Sequence, residues 1–527
     1  MPETIRQGRV AEWTLHAAQS YRNPFADVLL NAILTAPDGS SHQMPAYYDG
    51  EGRWRIRYTP RQPGRWTLRT LPHPHDDGLC QEIALDVAPD QGRGTLKATP
   101  GRAWGFHWDD GQPAFLLGDT VYNLFGMAHC GLGVDAFLDR RAAQGFNLLR
   151  VRLPVSPFHP PEGHSSWQHR RTWAWGGSEQ SPQFDRFNLE YFATVDRVVR
   201  RVEALGLGLE MIMEGWGFEF PFNARQRFVP EWEELWMRYL IARYDAFNCV
   251  WFWTPLNEYE YYPDGDWRYS PVADRWALRI ARWIKRTAPH GHIVSVHNGP
   301  TTPPFAERFC QDPTAIDAIM LQTWGTTGAD DGWLAAGIEE TAARALAGWP
   351  GSALLAEWGY ERNPGFELRM PGHRHCDVDH TRRGAWRGAF SGLGIIHGFE
   401  NSWGPWGVLD RDQPGLAQLL YAGPVTTEIA PFTRLAPAPE LVAAQELPPG
   451  HRPLALASAE RDLLCYYMPV GGAITPPADS GSWGQARWFD PREGSLQAAR
   501  PTSARAFVPP QGGQLDRPWD WILLLER

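Results

Sequence analysis

Four glutamates stand just after short apolar segments that have the composition of buried β-strands. They are Glu214, Glu258, Glu357 and Glu400. Glycoside hydrolysis requires two carboxyl groups at one cleft, because one protonates the leaving oxygen while the other, ionised, acts as nucleophile or base. Burying such carboxylates without a function would cost several kcal/mol each unless they were paired. The pattern predicts a hydrolytic acid–base site, and position alone does not choose among the four.

Two features favour Glu258 and Glu357 within this group. Asn257 directly precedes Glu258, and such an amide can donate to the sugar 2-hydroxyl, a contact that strengthens at the transition state. Glu357 follows the apolar segment 353–356, a strand that would hold its carboxylate on a rigid element. Glu260 lies two residues beyond Glu258 and competes with it, so the residues alone leave that choice open.

Other hydrolytic chemistries have weaker support in the sequence. The chain has neither a GxSxG nucleophile motif nor an HExxH zinc motif, and no pair of its six cysteines has CxxC spacing. The nearest metal-like clusters are His373, His375, Cys376 and His380, and His73, His75, Asp76 and Asp77. We predict no metal and no cofactor.

The candidate side chains need a scaffold that brings strand ends together, and the middle of the chain predicts one. Eight apolar strands alternate there with amphipathic helical segments, a pattern typical of a parallel (β/α)8 barrel. The predicted strands are 114–118, 147–153, 208–213, 250–254, 293–296, 318–321, 353–356 and 394–398. A doubly wound open sheet is the alternative, but no GxGxxG motif follows the first strand. In a barrel the C-terminal strand ends carry catalysis.

Both flanks of this region have the pattern of antiparallel β-structure. Near the N-terminus, Trp54, Ile56 and Tyr58 alternate with arginines, as in a half-buried strand. Near the C-terminus, 463–468 and 521–525 are predicted strands. We therefore predict an α/β chain with three parts: an N-terminal β-sandwich (1–95), a (β/α)8 TIM barrel (96–430) and a C-terminal β-sandwich (431–527).

Composition and charge narrow the class of partner. The formal charge is −10, from 60 acidic and 50 basic residues, which argues against a nucleic-acid or anionic-membrane surface. The 27 tryptophans suit stacking on sugar rings, although tryptophan also fills cores. No basic region followed by an apolar core opens the chain, and no apolar run approaches the roughly 20 residues of a membrane helix. We expect a cytoplasmic protein with a carbohydrate partner.

Several segments resemble one family of sugar-cleaving enzymes. Segments 253–258 and 355–359 resemble the two catalytic strand ends of the clan A glycoside hydrolases, and 400–404 resembles the clan's eighth-strand tryptophan segment. More narrowly, 115–120 and 145–147 resemble the apiosidase-like barrel family. Segments 23–25 and 48–50 resemble the β-sandwich that precedes such barrels, and 488–492 with 520–521 their collagen-binding-type C-terminal β-domain.

The resemblance implies a role for each site residue. Glu258 would be the general acid/base and Glu357 the nucleophile, and either Arg150 or Arg152 would keep Glu357 ionised. The residues that would bind or line the substrate site are Asn257, Asp119, Tyr122, His297, Gln322, Trp324 and Trp403. An ordinary rim hydrogen bond is the alternative for Asp119. Many clan members carry His or Tyr where this chain has Gln322, so its role stays open.

The resulting prediction is a retaining, exo-acting glycoside hydrolase. Retention requires carboxyl groups about 5–5.5 Å apart, against about 6.5–9.5 Å for inversion, and we predict the shorter distance. The alternatives are a carbohydrate-binding scaffold with an inactive barrel and a transglycosylase that uses the same residues. The terminal β-domains are expected to brace the barrel or form homo-oligomer contacts. The sequence does not identify the sugar.

Overall fold

The structure is a computed structural model, which describes most of the chain. The described residues are 5–90, 92, 94–99, 101, 104–154, 173–178, 180–215, 225–263, 269–299, 303–323, 337–359, 361, 377–398, 412–424, 429–442, 447–448, 450–477, 482–510 and 519–527.

Eight parallel strands close into a barrel, because the eighth strand pairs with the first. In chain order they are Leu117–Thr120, Leu148–Arg152, Gly208–Glu214, Val250–Leu256, Ile293–His297, Ala318–Gln322, Ser352–Glu357 and Gly394–His397. Each overlaps a predicted strand, so the barrel is confirmed and the open sheet excluded.

Helices accompany the barrel strands. They are Leu124–His129, Val134–Ala143, Leu189–Ala204, Pro230–Tyr244, Pro271–Thr287, Phe305–Arg308, Ile338–Ala345, Val378–Phe390, Leu416–Leu420 and Ala422–Pro424, with a 3-10 turn at Tyr259–Tyr261. A hairpin of Trp175–Gly177 and Pro182–Phe187 follows the second strand. None of the described helices combines the length and the apolar composition needed to cross a bilayer.

The inside of the barrel changes from apolar at its base to polar at its top. Leu148, Phe252 and Met320 belong to the apolar core of the base, which is packed from below by the hairpin of Leu96–Ala98 and Phe106–Trp108. Every second residue of a strand faces the same side, so the second strand places arginines above Leu148. The catalytic end therefore has a buried polar interior above a well-packed apolar floor.

The N-terminal region is a sandwich of two β-sheets, as predicted. One sheet contains, in spatial order, Ile5–Arg6, Glu82–Ala88, Gly64–His73, Leu29–Thr35 and Ser41–Pro45; the other contains Ala11–His16, Arg53–Tyr58 and Tyr47–Tyr48. The short helix Pro24–Asp27 precedes the Leu29–Thr35 strand. Trp54, Ile56, Trp66 and Leu68 lie in the shared core.

Strand Arg53–Tyr58 packs on the barrel through Arg57, whereas Arg53 and Arg55 on the same face are partly exposed. Arg57 is only 1% exposed. Its guanidinium donates to the carbonyl of Arg243 (2.8 Å) and pairs with Asp196 (2.5 Å), which also pairs with Arg243 (2.8 Å). Burial alone would raise the pKa of Asp196, but the two arginines lower it to about 2. This buried ion seam joins the sandwich to the barrel.

The C-terminal region is the predicted β-domain. Its described strands form one sheet in the order Leu435–Pro437, Leu454–Ser458, Leu463–Met468, Trp521–Glu526, Gln485–Asp490 and Ser495–Ala498, with 3-10 turns at Phe432–Arg434 and Pro439–Leu441. One face packs on helix Val378–Phe390, where Tyr467 meets Phe390 with ring centroids 5.7 Å apart. Ile474 and Phe507, which bridge each other, join the core on the other face.

Candidate active site

The fourth barrel strand ends in an unusual backbone conformation that presents Glu258. This residue has a φ of 57°, in the left-handed region that few non-glycine residues adopt. Its N–H donates to Nδ1 of His297 over 3.2 Å. Such conformations cluster at functional sites, where surrounding contacts hold them in place. The end of the fifth strand therefore fixes the backbone of the proposed acid.

Arg150 on the second strand connects the two candidate carboxyl regions. It donates to Oδ1 of Asn257 and, over 2.8 Å, to the hydroxyl of Tyr122. The same Nη1 lies 3.7 Å from Oε1 of Glu357, and Nε lies 3.3 Å from Oε2 of Glu210. One fully buried cation on the second strand thus contacts groups on, or just after, the first, third, fourth and seventh strands.

Glu357 lies among groups that favour its ionised form. The Tyr122 hydroxyl donates to its Oε1 over 3.0 Å, and Nε2 of His297 is 3.2 Å from its Oε2. Burial alone would raise its pKa, but the contacts with His297, Arg150 and Tyr122 outweigh burial and lower it. This carboxyl group is therefore prepared to act as an anion.

His297 is neutral in this arrangement. Its Nδ1 accepts from the Glu258 N–H, so its proton resides on Nε2, which faces Glu357. Burial, together with the nearby charge of Arg150, lowers its pKa to about 4. The imidazole therefore links the backbone of one carboxyl residue to the side chain of the other.

Glu258 has the opposite electrostatic setting. Burial and then the negative charge of Glu357 raise its pKa well above the ordinary value, while Arg150 and a hydrogen bond with Gln322 oppose the rise in part. Its Oε2 is buried and has no hydrogen-bond partner among the described residues. The surroundings therefore displace the pKa values of Glu258 and Glu357 in opposite directions, which is the arrangement that an acid and an anion sharing one site require.

Two supporting residues were missed or left without a role in the sequence prediction. Glu210 pairs in register with Arg150 on the adjacent strand, and its other oxygen accepts from Thr254 over 2.9 Å. Asn298 binds the backbone of Gln322 at both polar groups, at 2.9 and 2.8 Å. A glutamate inside an apolar strand, opposite an arginine on the next strand, is the signal that could have revealed Glu210.

Most of the predicted site residues meet at this end of the barrel. Those brought together are Glu258, Glu357, Asn257, Arg150, His297, Gln322 and Tyr122. Arg150, rather than Arg152, is the arginine that the structure places near Glu357; Arg152 lies over the Tyr122 ring at 4.8 Å. Tyr122 contacts the carboxylate itself, which sequence reasoning had not predicted.

Asp119 requires a correction. Its side chain points away from the barrel interior. On that outer side Arg141 contacts one carboxylate oxygen (2.6 Å) and His397 contacts the other (3.1 Å). Asp119 and His397 are neighbours across the first and eighth strands, and both side chains are fully buried. With both oxygens occupied, Asp119 belongs to a buried structural ion pair rather than to the sugar-binding set, and it lies deeper than the rim hydrogen bond considered as the alternative.

The remaining carboxyl candidates have other surroundings. Glu214 lies 3.7 Å from Arg225, and burial and Glu233 raise its pKa well above the ordinary value. Glu260 accepts from the N–H of Gly299 over 2.8 Å, and burial raises its pKa to about 7. Within the part of the chain that the structure describes, neither contacts Arg150, which contacts Glu357 and the Asn257 neighbour of Glu258.

Some predicted residues lie outside the part of the chain that the structure describes. They are Trp324, Trp403, Glu400, His373, His375 and Cys376. Within the described part, no three His, Cys, Asp or Glu side chains are grouped to hold a metal. His380 instead contacts the carbonyl of Trp358 over 2.9 Å, and Asp76 accepts from the N–H groups of Ala18 (2.8 Å) and Gly78 (2.8 Å).

Known structures share this architecture. A “putative glycoside hydrolase” from Bacteroides vulgatus ATCC 8482 is 16% identical, with a TM-score of 0.72 over 100% of both chains. A glycoside hydrolase family 5 protein from the same organism is 18% identical, with a TM-score of 0.61 over 82% of this chain and 93% of its own. At these identities the likeness concerns the fold. No curated protein sequence matches the chain.

Family models cover all three regions. Residues 4–71 match a domain of unknown function, and residues 436–526 match the “Putative collagen-binding domain of a collagenase”. Residues 105–410, more than half of the chain, match the model described as “Apiosidase-like, catalytic domain”. The chain therefore belongs to the apiosidase-like family of glycoside hydrolases.

Proposed function

We propose that this glycoside hydrolase works with retention of anomeric configuration, with Glu357 as the nucleophile and Glu258 as the acid/base. One observation carries the proposal: of two buried carboxyl groups, that of Glu357 contacts Arg150 and His297, that of Glu258 belongs to a residue whose backbone N–H donates to His297, and their pKa values are displaced in opposite directions. A glycosidase of this kind needs one protonated and one ionised carboxyl group in its resting state, and the stereochemistry of the product separates a nucleophilic from a basic role of Glu357.

The steps follow from these charges. Glu357 attacks the anomeric carbon while Glu258 gives its proton to the leaving oxygen, so the glycosidic bond breaks and an ester forms. The ester removes the negative charge of Glu357, which is one of the causes that raise the pKa of Glu258. Glu258 can then take a proton from water, which attacks the anomeric carbon and releases Glu357.

Asn257 is proposed to bind the sugar 2-hydroxyl. Arg150 has only donors, so the amide oxygen of Asn257 must face it, and the amide NH2 is directed elsewhere. A donor beside the acid strengthens its contact with the 2-hydroxyl as charge develops at the anomeric carbon. Arg150 thus orients Asn257 as well as contributing to the charge balance of Glu357.

Exo action is the finer part of the proposal. The segments 156–187 and 258–271 follow the second and fourth strands and are rich in Trp, Tyr and His. Long aromatic segments at one side of a cleft favour a closed pocket over an open groove. The family description names an apiosidase, so an apiofuranoside belongs in the substrate panel beside other furanosides and pyranosides.

The test combines a substrate screen with product stereochemistry. Nitrophenyl glycosides identify a substrate, and proton NMR of the first product shows its anomeric form. Retention is expected, and an inverted product would remove Glu357 as nucleophile. Glu357→Ala should abolish turnover and leave the melting temperature unchanged. The control is Glu231→Ala, at an exposed position of helix Pro230–Tyr244, which should retain turnover.

The alternatives give different results in the same experiments. A binding scaffold would retain sugars in calorimetry without hydrolysing any member of the panel. A transglycosylase would yield a ladder of longer products when an acceptor sugar is added. Exo action predicts one released sugar from an end-labelled oligosaccharide, and a spread of internal fragments would contradict it.

A further inference from the structure

A polar cavity of about 590 Å3 lies where the N-terminal sandwich meets the base of the barrel. The residues that shape its chemistry are Arg61, Lys97, Asp109, Glu203, Asn248 and His290. Asn248 and His290 precede the fourth and fifth strands, so the cavity is at the opposite end of the barrel from Glu258. The proposed hydrolysis makes no use of it.

Two cations line this cavity, Arg61 and Lys97, and neither has a counter-ion among the described residues. Nη2 of Arg61 is buried and has no hydrogen-bond partner, and among the described residues no carboxylate lies within 4.0 Å of this guanidinium. Nζ of Lys97 donates to the carbonyl of Gly291 over 2.9 Å, and again no described carboxylate is within ion-pair distance. Both side chains line the cavity, and neither has an ion-pair partner among the described residues.

The carboxylates of the cavity are bound to other groups. Asp109 accepts from the N–H and the hydroxyl of Thr95, at 2.7 and 2.9 Å. Glu203 accepts from the N–H of Asn248 over 2.9 Å, and burial raises its pKa. Asp90 pairs with Arg9 over 3.1 Å. None of them neutralises Arg61 or Lys97 by direct contact.

An anion bound in the cavity would supply a counter-charge for Arg61 and Lys97. Burial is the largest influence on both cations and lowers the pKa of each, and the more distant charge of Asp109 opposes it only in part. Both residues are half-buried, and a charge that is partly removed from water is less favourable without a partner. The planar guanidinium fork matches the two oxygens of a carboxylate or phosphate, and lysine adds a point charge.

We propose that this cavity binds a small oxyanion, a carboxylate or a phosphate, between Arg61 of the sandwich and Lys97 of the base hairpin. Each side of the junction contributes one cation, so the bound anion would fasten the sandwich to the barrel. The inference is independent of the proposed catalytic roles, because its groups lie at the other end of the strands.

The test is calorimetric titration of the full chain with inorganic phosphate, acetate and glucuronate, at constant ionic strength in chloride. We expect one site for at least one of these anions and a higher melting temperature in its presence. The phosphate and carboxylate arms distinguish the two sources of the same chemistry. Arg61→Gln and Lys97→Gln should each weaken binding by about tenfold or more.

The matched control is Arg65→Gln, which removes a cation from an exposed position of the same sandwich. It should bind like the unaltered chain. If Arg61→Gln does not fold, Lys97→Gln alone decides. The proposal is overturned if the unaltered chain binds none of the three anions, or if the folded cavity variants bind as tightly as the control.

Discussion

Removing the hydroxyl of Tyr122 isolates its influence on the proposed nucleophile. This hydroxyl donates to Oε1 of Glu357 over 3.0 Å and accepts from Arg150 over 2.8 Å, and it lowers the pKa of Glu357. Tyr122→Phe keeps the ring that lies beneath the guanidinium groups of Arg150 and Arg152, at 5.1 and 4.8 Å. The substitution should therefore raise the pKa of Glu357.

The size of the effect follows from the burial of the site. A hydrogen bond to a charged group contributes about 1.5–3 kcal/mol, and about 1.36 kcal/mol corresponds to one pKa unit or a tenfold change in rate. Glu357 must be ionised to attack, so the acidic limb of the pH–rate profile should move up by about one to two pH units. On the acidic side of the profile, kcat/KM should fall by about 10- to 100-fold.

The assay is the pH dependence of kcat/KM on the best aryl glycoside. Tyr191→Phe is the matched control, because it removes another buried tyrosine hydroxyl, one that donates to the Leu153 carbonyl. The control should lower the melting temperature and leave the acidic limb in place. The reasoning is refuted if Tyr122→Phe leaves that limb unchanged while the unaltered enzyme shows it clearly.

Three other substitutions test separate parts of the structure. Gln322→Ala removes a hydrogen bond that lowers the pKa of Glu258, so the basic limb of the same profile should move to higher pH. Gly384→Ala would place Cβ 2.1 Å from Cδ1 of Trp358, beside the nucleophile; overpacking of about 1–3 kcal/mol should lower both the melting temperature and kcat. Arg57→Met leaves Asp196 with one buried partner fewer and should lower the free energy of unfolding in urea by about 3–5 kcal/mol.

The glycine and arginine substitutions each have a control, one of the same residue type and one on the same strand. Gly133→Ala adds a methyl group where nothing lies within 4 Å, so activity and stability should persist. Arg53→Met, on the strand of Arg57, breaks an exposed pair with Glu51 and should cost less than about 1 kcal/mol. Equal losses of unfolding free energy in the Arg53 and Arg57 variants would contradict a buried seam. A basic limb of the pH–rate profile that moves to lower pH in Gln322→Ala would contradict the assignment of Glu258.

Sequence patterns were sufficient for the barrel and for most of its catalytic end. Short apolar segments separated by amphipathic helices marked every strand, and the topology then places all C-terminal strand ends together. That is why Asn257, Glu258, His297, Gln322 and Glu357 could be grouped without knowledge of their contacts. The grouping depends on topology, which tolerates errors of a few residues at the strand boundaries.

The features of the site that the sequence does not predict depend on the register of the strands and on the height of each residue along the barrel. The first strand begins at Leu117 rather than at 114, so Asp119 lies within the strand and faces the helices. Arg150 and Arg152 share a face, and only the height of each along the barrel decides which approaches Glu357. Glu210 lies inside a segment that the sequence predicts as an apolar strand, and only the pairing of neighbouring strands shows that it lies opposite Arg150.

The buried ion seam around Arg57 has a consequence for how this enzyme can be divided. A fragment that begins at residue 96 would retain Asp196 and Arg243 but lose their arginine partner from the sandwich. It would also expose a polar patch on the outer wall of the catalytic region. The seam makes the barrel unsuitable as a portable module, so trimming, fusion and domain exchange should keep the sandwich attached.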